Sequence, residues 1–210
     1  MTFLRAELPL DLNRLLSNAS EIILASSSKR RLDLLKLIGI KPDKIIKPEI
    51  DELIEISHLK CKSKDLAYKK AKFVQKHYKI ENKYIIAADT MVCRSGLVYE
   101  KAKDAKEVLE YLKKLSGKKH YVYGSICIIS PNNKVLKRLV ITEVFFKRLC
   151  NNDFNNNELL VEGIGKAGGY AIQGKGSLLV KKIKGSFYNV VGLSIFELNN
   201  MLLGLGWKKN

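Results

Sequence analysis

The chain is poor in the residues that would place it in a specialised class. Its 210 residues include four prolines, four cysteines, three histidines and one tryptophan. The cysteines, Cys61, Cys93, Cys127 and Cys150, lie far apart and form no C-x-x-C pair. Zinc sites and disulfide frameworks need closer or paired spacing, so a reducing, cytoplasmic setting is expected. His58, His77 and His120 do not cluster in sequence, and no Ser–His–Asp arrangement is indicated. No apolar run approaches the roughly 18 residues of a membrane span, and the first residues carry Glu7 and lack the apolar centre of a signal peptide. There is no internal repeat and no linker composition that would split the chain.

Acid is also scarce, with 21 Asp and Glu against 38 Lys and Arg for a formal net charge of +17. Such an excess raises the idea of nucleic-acid binding by counterion release. The lysines are spread over the whole chain, however, with no aromatic interleaving and none of the usual nucleic-acid motif spacings. Stable nucleic-acid binding is therefore not expected, and the excess reads as a general lysine, asparagine and isoleucine bias. Hydrophobic residues make up 46% of the chain, enough for one sizeable mixed core. Residues 1–20 read as an N-terminal extension broken by Pro9, and residues 21–210 as one domain.

Against this background one segment stands out. Ile23-Leu24-Ala25-Ser26-Ser27-Ser28-Lys29-Arg30-Arg31 ends an apolar run in three serines and two arginines where a helix should begin. Helix starts expose unpaired N–H groups and the positive end of the dipole, so hydroxyl and guanidinium groups there suit phosphate oxygens. Taken alone, a serine before an amphipathic run is first an ordinary N-cap, and a surface arginine pair is usually solvated.

Periodicity predicts a strand over 22–25 and a helix carrying Leu32, Leu35 and Ile38 that Gly39 stops. A second strand is expected over 44–50, leading into Glu49-Ile50-Asp51-Glu52, and a helix from Ser63 with Ala67, Ala71 and Val74 inward. A strand over 84–88 would carry Asp89-Thr90 at its carboxyl end, where α/β sheets gather ligands. Asp104 and Glu107 should cap the next helix. A long hairpin over 121–129 and 135–146, a short helix over 153–161 and a glycine-dense segment over 163–176 follow. A further hairpin is predicted over 177–183 and 187–191, then a closing helix over 193–203. The fold class is α/β with a mixed sheet and flanking helices.

Six separated segments then resemble the Maf proteins in order and spacing. They are Ile23 to Arg31 as quoted above, Ala88-Asp89-Thr90-Met91-Val92, Glu100-Lys101, Leu115-Ser116-Gly117-Lys118-Lys119-His120, Lys166-Ala167-Gly168-Gly169-Tyr170-Ala171-Ile172-Gln173-Gly174, and Val191-Gly192-Leu193. The resemblance runs from about Ile22 to the C-terminal helix. It implies an elongated fold like that of the inosine triphosphate pyrophosphatases, with two lobes around a deep cleft. The implied activity is hydrolysis of a nucleoside triphosphate to a monophosphate and pyrophosphate with a divalent metal, Mg²⁺ or Mn²⁺. The implied substrates are pyrimidine or modified nucleotides, the implied assembly is a homodimer, and the family has been linked to arrest of septum formation. Three positions depart from the family pattern: Lys29 and Ala102 stand where proline is usual, and Gly165 where aspartate is common.

The resemblance also assigns roles. Asp89 matches the family's proton acceptor, and the same carboxylate could hold the metal instead or as well. Glu52 matches an acid that helps bind metal, with Asp51 beside it. Arg30, Arg31, Ser26 and Ser28 would cradle phosphate, since guanidinium groups bind phosphate oxygens bidentately. Lys70 and Lys101 match lysines that offset charge on the departing pyrophosphate. Arg30, Thr90 and Gln173 match the trio of the dTTP and UTP subgroup, Gln173 offering both a donor and an acceptor. The alternative from another class is a non-catalytic nucleic-acid-binding or cell-division regulatory protein on the same fold, against which the acids Glu52 and Asp89 count.

Overall fold

A computed structural model describes residues 21–50 and 59–208. The expected extension over 1–20 lies outside the described residues, as do Asp51, Glu52 and His58. Seven strands form one sheet in the order β2-β1-β3-β5-β6-β7, with β4 paired to β3. β1 (Ile22–Leu24) runs parallel to β2 (Lys44–Ile45) and to β3 (Tyr84–Arg94). The rest is antiparallel: β3 with β4 (Leu97–Tyr99) and β5 (Lys119–Ile129), β5 with β6 (Val135–Phe146), and β6 with β7 (Val180–Lys184).

Side chains alternate across a strand, and the two faces of β3 are covered by different helices. Ile85 and Ala87 point to α2 (Leu59–His77), whose Ala67, Ala71 and Val74 are fully buried against them. Small residues at helical spacing let α2 lie close, and Ser63 donates to Ser125 Oγ on β5 at 2.8 Å to fix its position. Tyr84, Ile86 and Ala88 point the other way, into the larger core under α1 (Lys29–Leu37), α3 (Ala105–Leu115) and α7 (Ile195–Gly204). Asp89 therefore falls on the α2 face, and Thr90 on the opposite one.

Several predicted boundaries move. The strand expected over 44–50 keeps only two residues, because it is an edge strand running into Pro48, which has no N–H to give. The strand expected to end at Ala88 continues to Arg94, so Asp89 and Thr90 sit mid-strand: antiparallel β5 pairs along it from Ile85 to Cys93. The α3 cap forms as expected, Asp104 accepting from the Glu107 N–H and Glu107 from the Lys103 N–H. The helix expected over 153–161 is two pieces, α4 (Asn151–Phe154) and α5 (Asn157–Gly163).

The hairpin expected over 177–183 and 187–191 does not form. Lys175–Leu179 is a 3₁₀ turn, and Phe187–Val191 is α6, capped by Ser186 accepting from the Asn189 N–H and ended by Gly192 at φ +137°. The cause lies in Asn189. Its fully buried amide lies within hydrogen-bond distance of the Val122 and Val140 carbonyls and the Thr142 hydroxyl, all at 3.1–3.2 Å, which a strand at this position would forfeit. Gly124 makes room for it: a Cβ there would lie 1.8 Å from Asn189 Oδ1. Gly124→Ala should destabilise the fold by about 2 kcal/mol or more through overpacking, read as a lower urea midpoint with an unchanged slope.

Candidate active site

Along one edge of β3, residues 84–86 pair with β1 and residues 92–94 with β4. Between them, 87–91 have no strand partner on that side among the described residues. Ala25 N–H still donates to the Ile86 carbonyl, after which the chain turns away through Ser26, Ser27 and Ser28 into α1. The gap is the wall of a cleft of about 440 Å³ lined by the serine loop, Arg30, Arg31, Lys70, Asp89, Thr90, Lys101 and the glycine-dense segment from Gly165 to Tyr170.

Strand parity decides what meets each polar side chain. Asp89, on the α2 face, accepts from Lys70 at 2.8 Å, and both groups are nearly buried, with 9% and 8% of their side chains exposed. Asp89 Oδ2 has no hydrogen-bond partner among the described residues. Thr90, on the other face, meets Arg31. That guanidinium donates to the Thr90 hydroxyl from Nη2 at 3.2 Å, to Ser26 Oγ from Nη1 at 3.0 Å and to the Gly192 carbonyl from Nε at 3.1 Å. Arg31, read from sequence as a phosphate contact, is thus committed to three protein groups that border the cleft.

Among the described residues Arg30 has no such commitments, and burial pulls its pKa below the ordinary value. Lys166, across the cleft, is lowered by burial and then by the charge of Arg30, with Glu162 partly offsetting. Two partly desolvated cations sharing one cavity favour an anion between them. Lys101 is exposed at the cleft and held to the glycine-dense segment by a bridge to Ala167. Asp89, Thr90 and Lys101 also line an adjoining recess of about 170 Å³.

Ser26, Ser28, Arg30, Arg31, Lys70, Asp89, Thr90 and Lys101 are therefore brought together, while Gln173 is exposed and does not line the cleft. Ser28 is the N-cap of α1, but its side chain makes no capping bond. Lys47, Lys166 and Tyr170 line the cleft without having been singled out in sequence. Lys47 carries no local signal in so basic a chain; Lys166 and Tyr170 stand inside the quoted glycine-dense motif, where the signal was present. Among the described residues no group of three His, Cys, Asp or Glu side chains forms a metal cage. The unpaired Asp89 Oδ2 is nonetheless a hard oxygen ligand suited to Mg²⁺ or Mn²⁺ completed by water and phosphate oxygens.

Tyr170 is set by His120, which is fully buried with Nε2 2.9 Å from the tyrosine hydroxyl. Burial, then the charge of Arg94, lower the His120 pKa from 6.5 to about 4. The unfolded chain binds that proton first as pH falls, so stability present above pH 6.5 is lost between about 6.5 and 4, to a limit of about 3 kcal/mol. Urea unfolding at pH 7.5 and 4.5 should show this loss, and His120→Gln should flatten it. For the buried pair, Lys70→Met should cost about 3 kcal/mol. A double-mutant cycle with Asp89→Asn should recover at least about 1 kcal/mol of it.

Comparison with known proteins agrees with these motifs. The family model described as Maf-like protein matches residues 21–205. A dTTP/UTP pyrophosphatase of Caldicellulosiruptor bescii is 43% identical over 190 residues, covering 89% of this chain and 95% of that one. One of Mesorhizobium japonicum is 38% identical over 198 residues, covering 92% and 95%. Among solved structures, a HAM1 protein from Coxiella burnetii aligns over 61% of this chain and 74% of its own at 19% identity, with a TM-score of 0.44. With its six motifs in order and a family match spanning the whole described sheet, the chain belongs to the Maf-like protein family.

Proposed function

We propose that the protein hydrolyses a pyrimidine nucleoside triphosphate, dTTP or UTP or a close modified relative, to the monophosphate and pyrophosphate. The observation that carries this reading is the carboxylate of Asp89, buried against Lys70 with one oxygen unpaired, in a cleft otherwise lined by cations and hydroxyls. A triphosphate brings the negative charge this lining lacks. The relatives named dTTP/UTP pyrophosphatase support the substrate class.

Asp89 orients a water and takes its proton as the water oxygen attacks the α-phosphorus; the bond to the bridging oxygen breaks and the β,γ-pyrophosphate leaves. Lys70 balances the charge of Asp89 and, with Lys101, offsets charge on the leaving group. Arg30 and Lys166 bind the anionic ligand from opposite sides, and Ser26 to Ser28 supply hydroxyl and backbone donors. A divalent cation, Mg²⁺ or Mn²⁺, would be held by Asp89 Oδ2 and phosphate oxygens, with Glu52 a further ligand, and would neutralise the phosphates and polarise the attacked centre. A non-catalytic nucleic-acid surface would have no use for the buried Lys70–Asp89 pair.

Purified protein incubated with single nucleotides and Mg²⁺ or Mn²⁺ should release pyrophosphate, fastest from dTTP and UTP, and chelation should stop it. Asp89→Asn should lower kcat by about 10²- to 10⁴-fold while the protein stays folded. Release of orthophosphate, or no turnover of any nucleotide, would overturn the reading.

A further inference from the structure

Lys47 lines the cleft at the edge of the sheet, and its place there follows from strand order. In the order β2-β1-β3-β5, Asp89 lies mid-strand on β3, and Val122, an apolar lining residue, lies one strand further on, in β5. On the other side of β3 come first the serine loop that leaves β1 and then Lys47, which follows β2. Neighbouring strands lie about 4.8 Å apart, so the Lys47 backbone leaves the sheet roughly 10 Å to the side of β3. That backbone is held. The Ile46 N–H donates to the Leu24 carbonyl at 2.9 Å, and Pro48 restricts the residue before it to extended geometry. The Lys47 side chain is exposed, and among the described residues no group pairs with its ammonium. Other cations of the cleft differ: Arg31 is engaged by three protein groups and Lys70 by Asp89.

We propose that Lys47 forms a subsite for the terminal phosphate and makes the protein favour nucleoside triphosphates over diphosphates. This rests on the proposed triphosphate reading and adds a residue to it. With the α-phosphorus at Asp89 and the nucleoside towards the apolar lining on β5, the phosphate chain runs the opposite way. It meets the serine loop first and the β2 edge last, and two anhydride links together with the long lysine stem cover the span. A diphosphate ends short of Lys47. An ammonium group meets phosphate as a point charge with three donors. During attack, charge develops on the bridging oxygen and not on the terminal phosphate, so Lys47 binds ground and transition states alike and acts on KM more than on kcat.

The test is equilibrium binding, by calorimetry in Mg²⁺, of the non-hydrolysable α,β-methylene analogues of UTP and UDP, with turnover of UTP measured alongside. Wild type should bind the triphosphate analogue at least about tenfold more tightly. Lys47→Gln should weaken it until the two affinities agree within about threefold, leave the diphosphate analogue unchanged, and raise KM for UTP more than it lowers kcat. Lys47→Arg should keep the preference. Lys36→Gln, at an exposed lysine in the last turn of α1, removes the same charge away from the cleft and should bind both analogues as wild type does. Full preference in Lys47→Gln overturns the inference, as does equal weakening of both analogues, or loss of the preference in Lys36→Gln. Preference that depends on Lys47 without turnover of any nucleotide overturns the proposed reaction and leaves the inference standing. Turnover of UTP with no preference in wild type does the reverse, and binding of neither analogue overturns both.

Discussion

Everything in the site follows from a mismatch of strand lengths. β1 pairs with β3 for three residues and then departs, while β3 runs for eleven because β5 supports it along the other edge. β4 takes up the vacated edge again from Val92. A five-residue window of central strand is left with one edge open, yet it is held rigidly from the other side. Polar side chains there are positioned as firmly as core residues and still reach solvent. A loop would offer access without that rigidity, and a fully paired strand would offer rigidity without access.

Within the window, adjacency in sequence becomes separation in chemistry. Asp89 and Thr90 are neighbours, but pleating sends the first to Lys70 on α2 and the second to Arg31 on α1. The carboxylate is thereby kept with a charge partner suited to proton and metal work. The hydroxyl is kept in a hydrogen-bond ring with the Arg31 guanidinium and the Gly192 carbonyl. One dipeptide presents two separate environments to the cleft.

Much of this was legible in the sequence because it depends on local pattern. The apolar spacing of α1 and α3, the Asp104–Glu107 cap and the long β5–β6 hairpin are set by residues within a few positions of one another. The serine and arginine run and the Asp89–Thr90 pair could be marked as site residues for the same reason. What could not be read depends on distant partners. That β3 continues past Asp89 is decided by β5, whose Tyr121 to Ser125 pair with it; that 187–191 is helical is decided by carbonyls at Val122 and Val140. The two arginines look alike in sequence, and only their neighbours in space divide them into one that is engaged by protein groups and one that is open to a ligand. Lys47 was hidden by the basic composition, since another lysine carries little information in a chain with so many.

The insertion of Asn189 over Gly124 also ties the middle of the sheet to the rim of the cleft. The amide occupies the space that any side chain at 124 would need, and shortening it takes a donor away from the Val122 and Val140 carbonyls. Neither position can change alone without cost, so the two are coupled energetically. Because α6 ends at Gly192, whose carbonyl Arg31 holds, a side chain added at a glycine in the middle of the sheet would be felt at the cleft through Asn189, α6 and Arg31.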